Sequence, residues 1–344
     1  MTALPDRPEV RVLLADVKEN PAEDRLRLIL ADWLEENGSD ADQARAELIR
    51  AQVELARLPA GVVERFPTNL RARALQQRWL KTWLGPLGEL FDGVACERGL
   101  LVVSLTAGRC RSRALVALAA SEAWQWVETV LLTSLRDEEI PGLADSPLLV
   151  SICALTVSGE VGPPGAQALG GMRWLAGLAR LDLSQNRPGD QGLQRLLASP
   201  NLDRLRCLEL GGCGLTPAAG PTLATWPGLA GLERLILWGN RLHNTGVVAL
   251  SQASAPRLRV LDLRGAGIQE SGGIALAKAV GWPALRELNL ADNQLGPLAA
   301  RALADAPGLA ALESLTLWGN PLGADGAERL RQRFGSRVHL PSRS

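Results

Sequence analysis

Leu232-Glu233-Arg234-Leu235-Ile236-Leu237-Trp238-Gly239-Asn240 is the stretch on which the fold turns. It fits the pattern L-x-x-L-x-L-x-x-N, and the pattern recurs on both sides of it. Upstream stand Leu178-Leu181-Leu183-Asn186 and Leu205-Leu208-Leu210-Cys213. Downstream stand Leu258-Leu261-Leu263-Ala266, Leu285-Leu288-Leu290-Asn293 and Leu312-Leu315-Leu317-Asn320. Successive first leucines are 27, 27, 26, 27 and 27 residues apart. Two degenerate copies precede them, Ile152-Leu155-Val157-Glu160 and Val127-Val130-Leu132-Leu135. Ten residues after each Asn, Cys or Ala position comes Leu196, Leu223, Leu250, Leu276, Leu303 or Leu330. Six after it comes Gly192, Gly246, Gly272, Ala299 or Gly326, with Gly220 one place late.

A fixed beat of this length is the mark of a repeat architecture. The L-x-L alternation turns two leucines to one face of a short strand and the x residues to the other. The Asn side chain can bond backbone groups that a tight bend leaves unpaired. A small residue six later lets the following helix lie close to its neighbour, and the Leu four beyond it faces inward. Each unit buries its leucines only against adjacent units. Strands stack about 4.8 Å apart and helices about 8–10 Å, so such a stack curves with its strands inside. The expected fold is therefore α/β: a solenoid shaped as a horseshoe, with a parallel concave sheet and convex helices. The repeat length and the small-x-x-x-Leu helix resemble the ribonuclease-inhibitor class of leucine-rich repeats, over residues 150–340 and in weaker form over 100–150. That resemblance implies a partner-binding concave sheet.

An open stack needs caps, and an N-terminal all-α cap is expected. Asn20-Pro21-Ala22-Glu23 reads as a helix start with Asn as N-cap and Glu at the third position. Leu26, Ile29, Leu30, Trp33 and Leu34 follow at helical spacing, and Asn37-Gly38 ends the run. A second helix is expected over 42–58, burying Leu48, Val53 and Leu55, and a third over 69–84 with Leu75, Trp79 and Trp83. Leu28-Ile29-Leu30-Ala31-Asp32-Trp33-Leu34-Glu35-Glu36-Asn37-Gly38, with Ala46–Gln52 and Glu54–Leu58, resembles the bacterial repeat-companion domain. Glu97-Arg98-Gly99-Leu100 and Val102–Leu105 are similar to the strand that opens the repeat region in that family. Ser39–Gln43 is an insertion against the family pattern. The resemblance implies this architecture and no assigned chemistry. The resulting division is a helical module over 1–60, a helical connector over 61–98 and the solenoid over 99–344. Asp325–Phe334 is expected as the last helix, with a truncated strand at 337–340 that Pro341 prevents from pairing further.

The charges cancel over the chain, at 37 basic and 37 acidic residues, but not locally. Residues 1–42 hold 5 basic and 11 acidic side chains, and residues 43–113 hold 12 and 6. The two blocks are expected to face each other. A nucleic-acid contact through 43–113, with Arg71, Arg73, Arg78, Lys81, Arg109, Arg111 and Arg113, is the alternative, and a neutral body argues against it. No apolar run is long enough for a membrane span, and Met1–Asn20 does not read as a secretory signal. Cys96, Cys110, Cys153, Cys207 and Cys213 have no framework spacing and read as reduced, buried thiols, which places the chain in the cytoplasm.

No catalytic, metal-binding or cofactor-binding constellation emerges. The two histidines are His243, in a loop, and His339, in the closing strand. Pairing His243 with Cys213 as a nucleophile requires a thiol that the repeat instead turns inward. Gly211-Gly212-Cys213-Gly214 is a turn, with no phosphate loop. Neither metal nor cofactor is expected.

The outward x positions say more. In the three outward rows lie Arg180, Asp182, Glu209, Arg234, Trp238, Asp262, Arg264, Glu287, Asn289 and Trp318, the candidate partner-binding residues. Trp238 and Trp318 hold equivalent slots three repeats apart, each within Leu-Trp-Gly-Asn. Trp and Arg are enriched where interfaces carry their energy, and an exposed aromatic patch marks a binding surface. The alternatives are a duplication relic for the tryptophans and cross-strand ion pairs for the charged residues. Trp174, Trp226 and Trp282 fall in helix-to-strand returns and are expected to seal gaps between repeats, as Trp124 and Trp126 seal the cap. The expectation is a non-catalytic scaffold for a protein or peptide. Horseshoes of this class include GTPase activators, so a regulator of a nucleotide hydrolase is the alternative from another class.

Overall fold

The computed structural model describes residues 7–58, 63 and 65–340. Pro341 and the first six residues, on which two expectations rested, lie outside the described residues. The chain divides into two compact units, Met1–Thr133 with Gly142–Thr156, and Ser134–Pro141 with Val157–Ser344.

The first unit opens with α1 (Pro8–Glu19), α2 (Asp24–Asn37), α3 (Asp40–Arg57) and α4 (Arg65–Leu84). Strands β1 (Gly93–Glu97) and β2 (Leu100–Thr106) follow, then the short helices α5 (Ala107–Cys110), α6 (Arg113–Ala117) and α7 (Glu122–Gln125). Strand β3 (Val127–Arg136) pairs parallel with β2, whereas β1 and β2 form an antiparallel hairpin. The hairpin turns at Arg98 and Gly99, both at positive φ (44° and 86°). A side chain on Gly99 would run into Ile49 of α3, its Cβ only 2.0 Å from Ile49 Cγ1.

Three sequence expectations for the helices are corrected. Helix α1 was not foreseen as a helix: Val10, Leu14 and Val17 sit at helical spacing and are buried. Asn20 closes α1 as its C-cap, so Pro21 starts no helix and α2 begins at Asp24 after Glu23. The buried stripe of α2 is Arg27, Leu30, Ala31 and Leu34, with Leu26 and Trp33 half-buried and Ile29 outward. The cause is Arg27: fully buried, it salt-bridges Glu128 of β3 and donates to Pro21 O at 3.0 Å, which turns the helix toward it. The insertion Ser39–Gln43 is a capping box, with Asp42 Oδ2 accepting from Ser39 N at 2.9 Å at the start of α3. Leu48 and Val53 are buried as expected, Leu55 half so.

Trp124 and Trp126 are buried within this unit. Trp124 Nε1 donates to Leu148 O and Ser151 Oγ, each at 3.1 Å. The Trp126 ring centroid lies 3.8 Å from the guanidinium carbon of Arg45 in α3, with Trp83 on Arg45 as well at 5.1 Å. Burial pushes Arg45 down to about 10. The acidic and basic blocks meet as expected: Arg50 reaches Asp32 and Glu35 at 2.7 and 2.6 Å, and Arg57 and Arg98 reach Asp24.

After β4 (Ala154–Glu160), the second unit alternates helix and strand: α8 (Pro163–Gly170), β5 (Arg180–Asp182), α9 (Gly189–Leu197), β6 (Cys207–Glu209), α10 (Ala219–Thr225) and β7 (Arg234–Ile236). Then come α11 (His243–Ser251), β8 (Val260–Asp262), α12 (Glu270–Ala277), β9 (Glu287–Asn289), α13 (Pro297–Asp305), β10 (Ser314–Thr316), α14 (Ala324–Phe334) and β11 (Val338–His339). From β5 to β11 each strand pairs parallel with the next in unshifted register. Helices α8 to α14 pack successively against one another. This is a leucine-rich-repeat solenoid. All eighteen strand leucines of the six clear repeats and all six helix leucines are buried.

The Asn ladder joins one repeat to the previous one. Asn240 Nδ2 donates to Leu210 O and Leu237 O at 2.8 and 2.9 Å, and its Oδ1 accepts from Cys213 N and Leu215 N at 3.0 Å. Asn186, Asn293 and Asn320 likewise donate to two backbone carbonyls each, and the Oδ1 of each accepts from a backbone N–H of the preceding repeat. Small residues hold the helices together: a Cβ on Gly220 would stand 2.1 Å from Gly246 O of the next helix. Trp174, Trp226 and Trp282 are buried in the returns. Among the described residues no helix is long and apolar enough to cross a membrane.

Candidate functional site

The outward face of the second unit's sheet carries the candidate residues side by side. Register aligns Arg180, Cys207, Arg234, Val260, Glu287 and Ser314 as one row and Asp182, Glu209, Ile236, Asp262, Asn289 and Thr316 as the next. A third row, Ser184, Gly211, Trp238, Arg264, Ala291 and Trp318, follows where the strands end.

Trp318 is 40% exposed, and Trp238 is half-buried. The difference lies in the preceding repeat. Trp238 lies across Gly211 and Gly212, so close that a Cβ on Gly211 would fall 2.1 Å from Trp238 Cε2. Its ring carries Arg264 on top, with the guanidinium carbon 5.5 Å from the centroid. At the same two places the repeat before Trp318 carries Ala291 and Asp292 in place of the glycines, and Trp318 stands out further. Both indoles remain at the surface.

The charged rows bear on the alternative of cross-strand ion pairs. Arg180 pairs across the strands with Glu209 at 2.8 Å. Asp182 and Asp262 turn back on their own strands, each accepting from the backbone N–H two residues on (Ser184 and Arg264) at 2.8 Å. Asp262 also accepts from Asn289 Nδ2 at 3.1 Å, and Asn289 Oδ1 accepts from Ala291 N at 3.1 Å. An aspartate at the end of a strand finds the turn N–H nearer than a neighbour's arginine. Arg234 and Glu287 are exposed, with no acceptor or donor for either among the described residues.

The outward rows also held what the candidate set omitted. Ile236 faces outward yet is buried, lying between Arg234 at the start of β7 and Trp238 just past its end. Ser184 Oγ accepts from Gly211 N at 3.1 Å and helps fix the seat under Trp238. Gly211 was read as an outward position and as part of a glycine-rich turn; its use as a seat depends on the ring of the next repeat, which spacing does not reveal.

Nothing in the unit brings a nucleophile forward. Cys213 is fully buried, its Sγ is 3.2 Å from Leu183 O, and burial pushes its thiol up to about 12. His243 begins α11 with φ +48°, a helix position where a loop was expected, and its Nδ1 lies 3.3 Å from Gly267 O. Among the described residues no group of three or more His, Cys, Asp or Glu is placed to hold a metal ion.

The chain has similarities to several solved structures. An internalin from Listeria monocytogenes is 19% identical with a TM-score of 0.39, covering 67% of this chain and 70% of that one. The yeast Rad7 and Elc1 complex gives 15%, 0.47, 97% and 92% in the same order. The Toll–Spätzle complex of Drosophila gives 14%, 0.37, 65% and 31%. No curated protein matches the sequence. The family model described as "Leucine Rich repeat" matches residues 256–277 and 283–304, two successive units of the beat set out above. On its own repeats and on that match, the chain is a leucine-rich-repeat protein.

Proposed function

We propose that the outward face of the repeat sheet is a non-catalytic docking surface for a protein or peptide, centred on Trp238, Arg264 and Trp318. The observation that carries this reading is the pair of indoles left at the surface in one strand slot, three repeats apart. A large ring at the surface of a monomer forgoes burial worth about 1.5–3 kcal/mol, and such rings anchor interfaces when a partner covers them. Arg180, Asp182, Glu209, Arg234, Asp262, Glu287 and Asn289 form the surround, where shape and charge set specificity more than affinity.

The contact through the basic segment 43–113 draws less support, since Arg71 pairs with Glu47 and Arg109 with Asp92. Cytoplasmic location, the ribonuclease-inhibitor-like class and the repeat-companion nature of the N-terminal helices belong to the same proposal. The test is affinity capture from the cells that make the protein, with wild type and the W238A/W318A variant side by side. The expected result is a protein retained by wild type and lost by a variant that melts at nearly the same temperature. Identical capture by both would remove this face from the account.

A further inference from the structure

On the outward face three of the four candidate acids are committed, whereas Glu287 and two arginines are not. Asp182 and Asp262 are held by backbone N–H groups, Asp262 also by Asn289, and Glu209 by Arg180. Arg234 has no acceptor among the described residues, and Arg264 is placed against the Trp238 ring alone. Arg234 and Ile236 of β7 and Trp238 just past its end follow one another at alternate positions, a stripe with an apolar centre and no acid in it.

Building on the docking reading above, we infer that the partner presents an acidic, extended peptide segment. Its carboxylates meet Arg234 and Arg264, and two apolar side chains rest on Trp238 and Trp318. The charge follows from desolvation. A partner that covers this stripe without a carboxylate strands two guanidinium groups away from water, and a buried unpaired charge is costly. A basic partner gains little from Asp182, Asp262 and Glu209, already hydrogen-bonded in the free protein, and it is repelled by both arginines. Glu287 sits two strands from Arg234, roughly 10 Å away at the usual strand spacing, and tolerates one basic residue there.

The extended form follows from spacing. Trp238 and Trp318 are three strand intervals apart, roughly 14 Å. An extended chain covers that in about four residues at 3.3–3.6 Å each, so the apolar residues fall four apart with acids between them beside Arg264. Ala291, buried and small, leaves the floor between the rings low. A helix would need about nine residues for the same distance, which puts the two side chains on opposite sides of it.

The test selects short random peptides by phage display on the intact protein, then titrates the winners against variants at rising salt. The expected winners are acidic, carry apolar residues four apart, and weaken by about tenfold or more on R234E/R264E and on W238A/W318A. Added salt weakens them too. Neutral or basic winners that are lost on W238A/W318A overturn the acidic partner and leave the docking face standing. Winners indifferent to W238A/W318A overturn both. A selection that yields no winner counts against the peptide inference, and R234Q/R264Q with unaltered affinity does the same without reversing charge.

Discussion

Trp238 and Gly211 share one space: the indole of one repeat occupies the place where a side chain on the previous repeat would begin. A candidate binding residue visible as a Trp in the sequence is therefore set in position by a glycine that looks like turn chemistry. Gly211→Ala should push the ring outward, break its contact with Arg264 and cost about 1–3 kcal/mol as overpacking. The checks are a red-shifted tryptophan emission and a lower urea midpoint. Unchanged emission would mean that the ring does not rest there.

Gly220 faces backbone. Its would-be Cβ is 2.1 Å from Gly246 O, and a carbonyl fixed in the next helix cannot rotate away. Gly220→Ala should destabilise by about 1–3 kcal/mol despite the higher helix propensity of alanine. Gly108→Ala, whose nearest contact is 4.0 Å away, should be neutral or stabilising in the same urea titration.

Asn240 supplies two donors and accepts twice in a buried position. Asn240→Ala leaves four backbone groups without that partner and should cost at least about 3 kcal/mol, at 1–3 kcal/mol for each orphaned group. A cost under about 1 kcal/mol, read by chemical denaturation, would show that neighbouring groups take over.

Arg27 and Glu128 are paired out of water. Glu128→Ala strands the guanidinium and should cost about 3–5 kcal/mol, whereas Arg27→Met with Glu128→Leu should recover most of it. Equal losses in the single and double variants would contradict the pairing.

The buried thiols predict an alkaline limb. Burial pushes Cys110, Cys153, Cys207 and Cys213 up to about 12. The unfolded chain releases these protons from about pH 8.5 while the folded chain keeps them. Their stabilisation is thus whole below that pH and drains away as pH rises toward 12. The chain has no tyrosine to add to this. Lys18, lowered to about 8 by burial, works oppositely, because its burial cost is relieved as pH climbs above 8. Cys213→Ala should flatten the fall in stability by about 1.4 kcal/mol per pH unit in reducing urea titrations between pH 9 and 11. An unaltered slope would refute the assignment.

The repeat was legible because its signal is periodic and one-sided. Leu181, Leu208 and their equivalents can satisfy a parallel strand only by facing inward, and they do. Non-periodic features were harder to read. Helix α1 was hidden because Val10, Leu14 and Val17 make only two turns of pattern in a charged setting. The face of α2 was misplaced because Arg27 looked like a solvated residue until Glu128, a hundred residues on, supplied its counter-charge. The antiparallel β1 depends on Gly99 meeting Ile49, a contact between elements. On the outward face, which positions point outward was legible and which groups they bond was not. Asp182 and Asp262 have a nearer donor in their own turn than any arginine across the sheet.

The most direct test of the account places a photo-crosslinking amino acid at Glu287 on the outward face and, separately, at exposed Lys278 just after α12 on the helix side, in the cells that make the protein. Protein adducts should form from position 287, vanish when W238A/W318A is added, and be missing from position 278. Adducts from position 278 alone, or from 287 regardless of the two tryptophans, would contradict it.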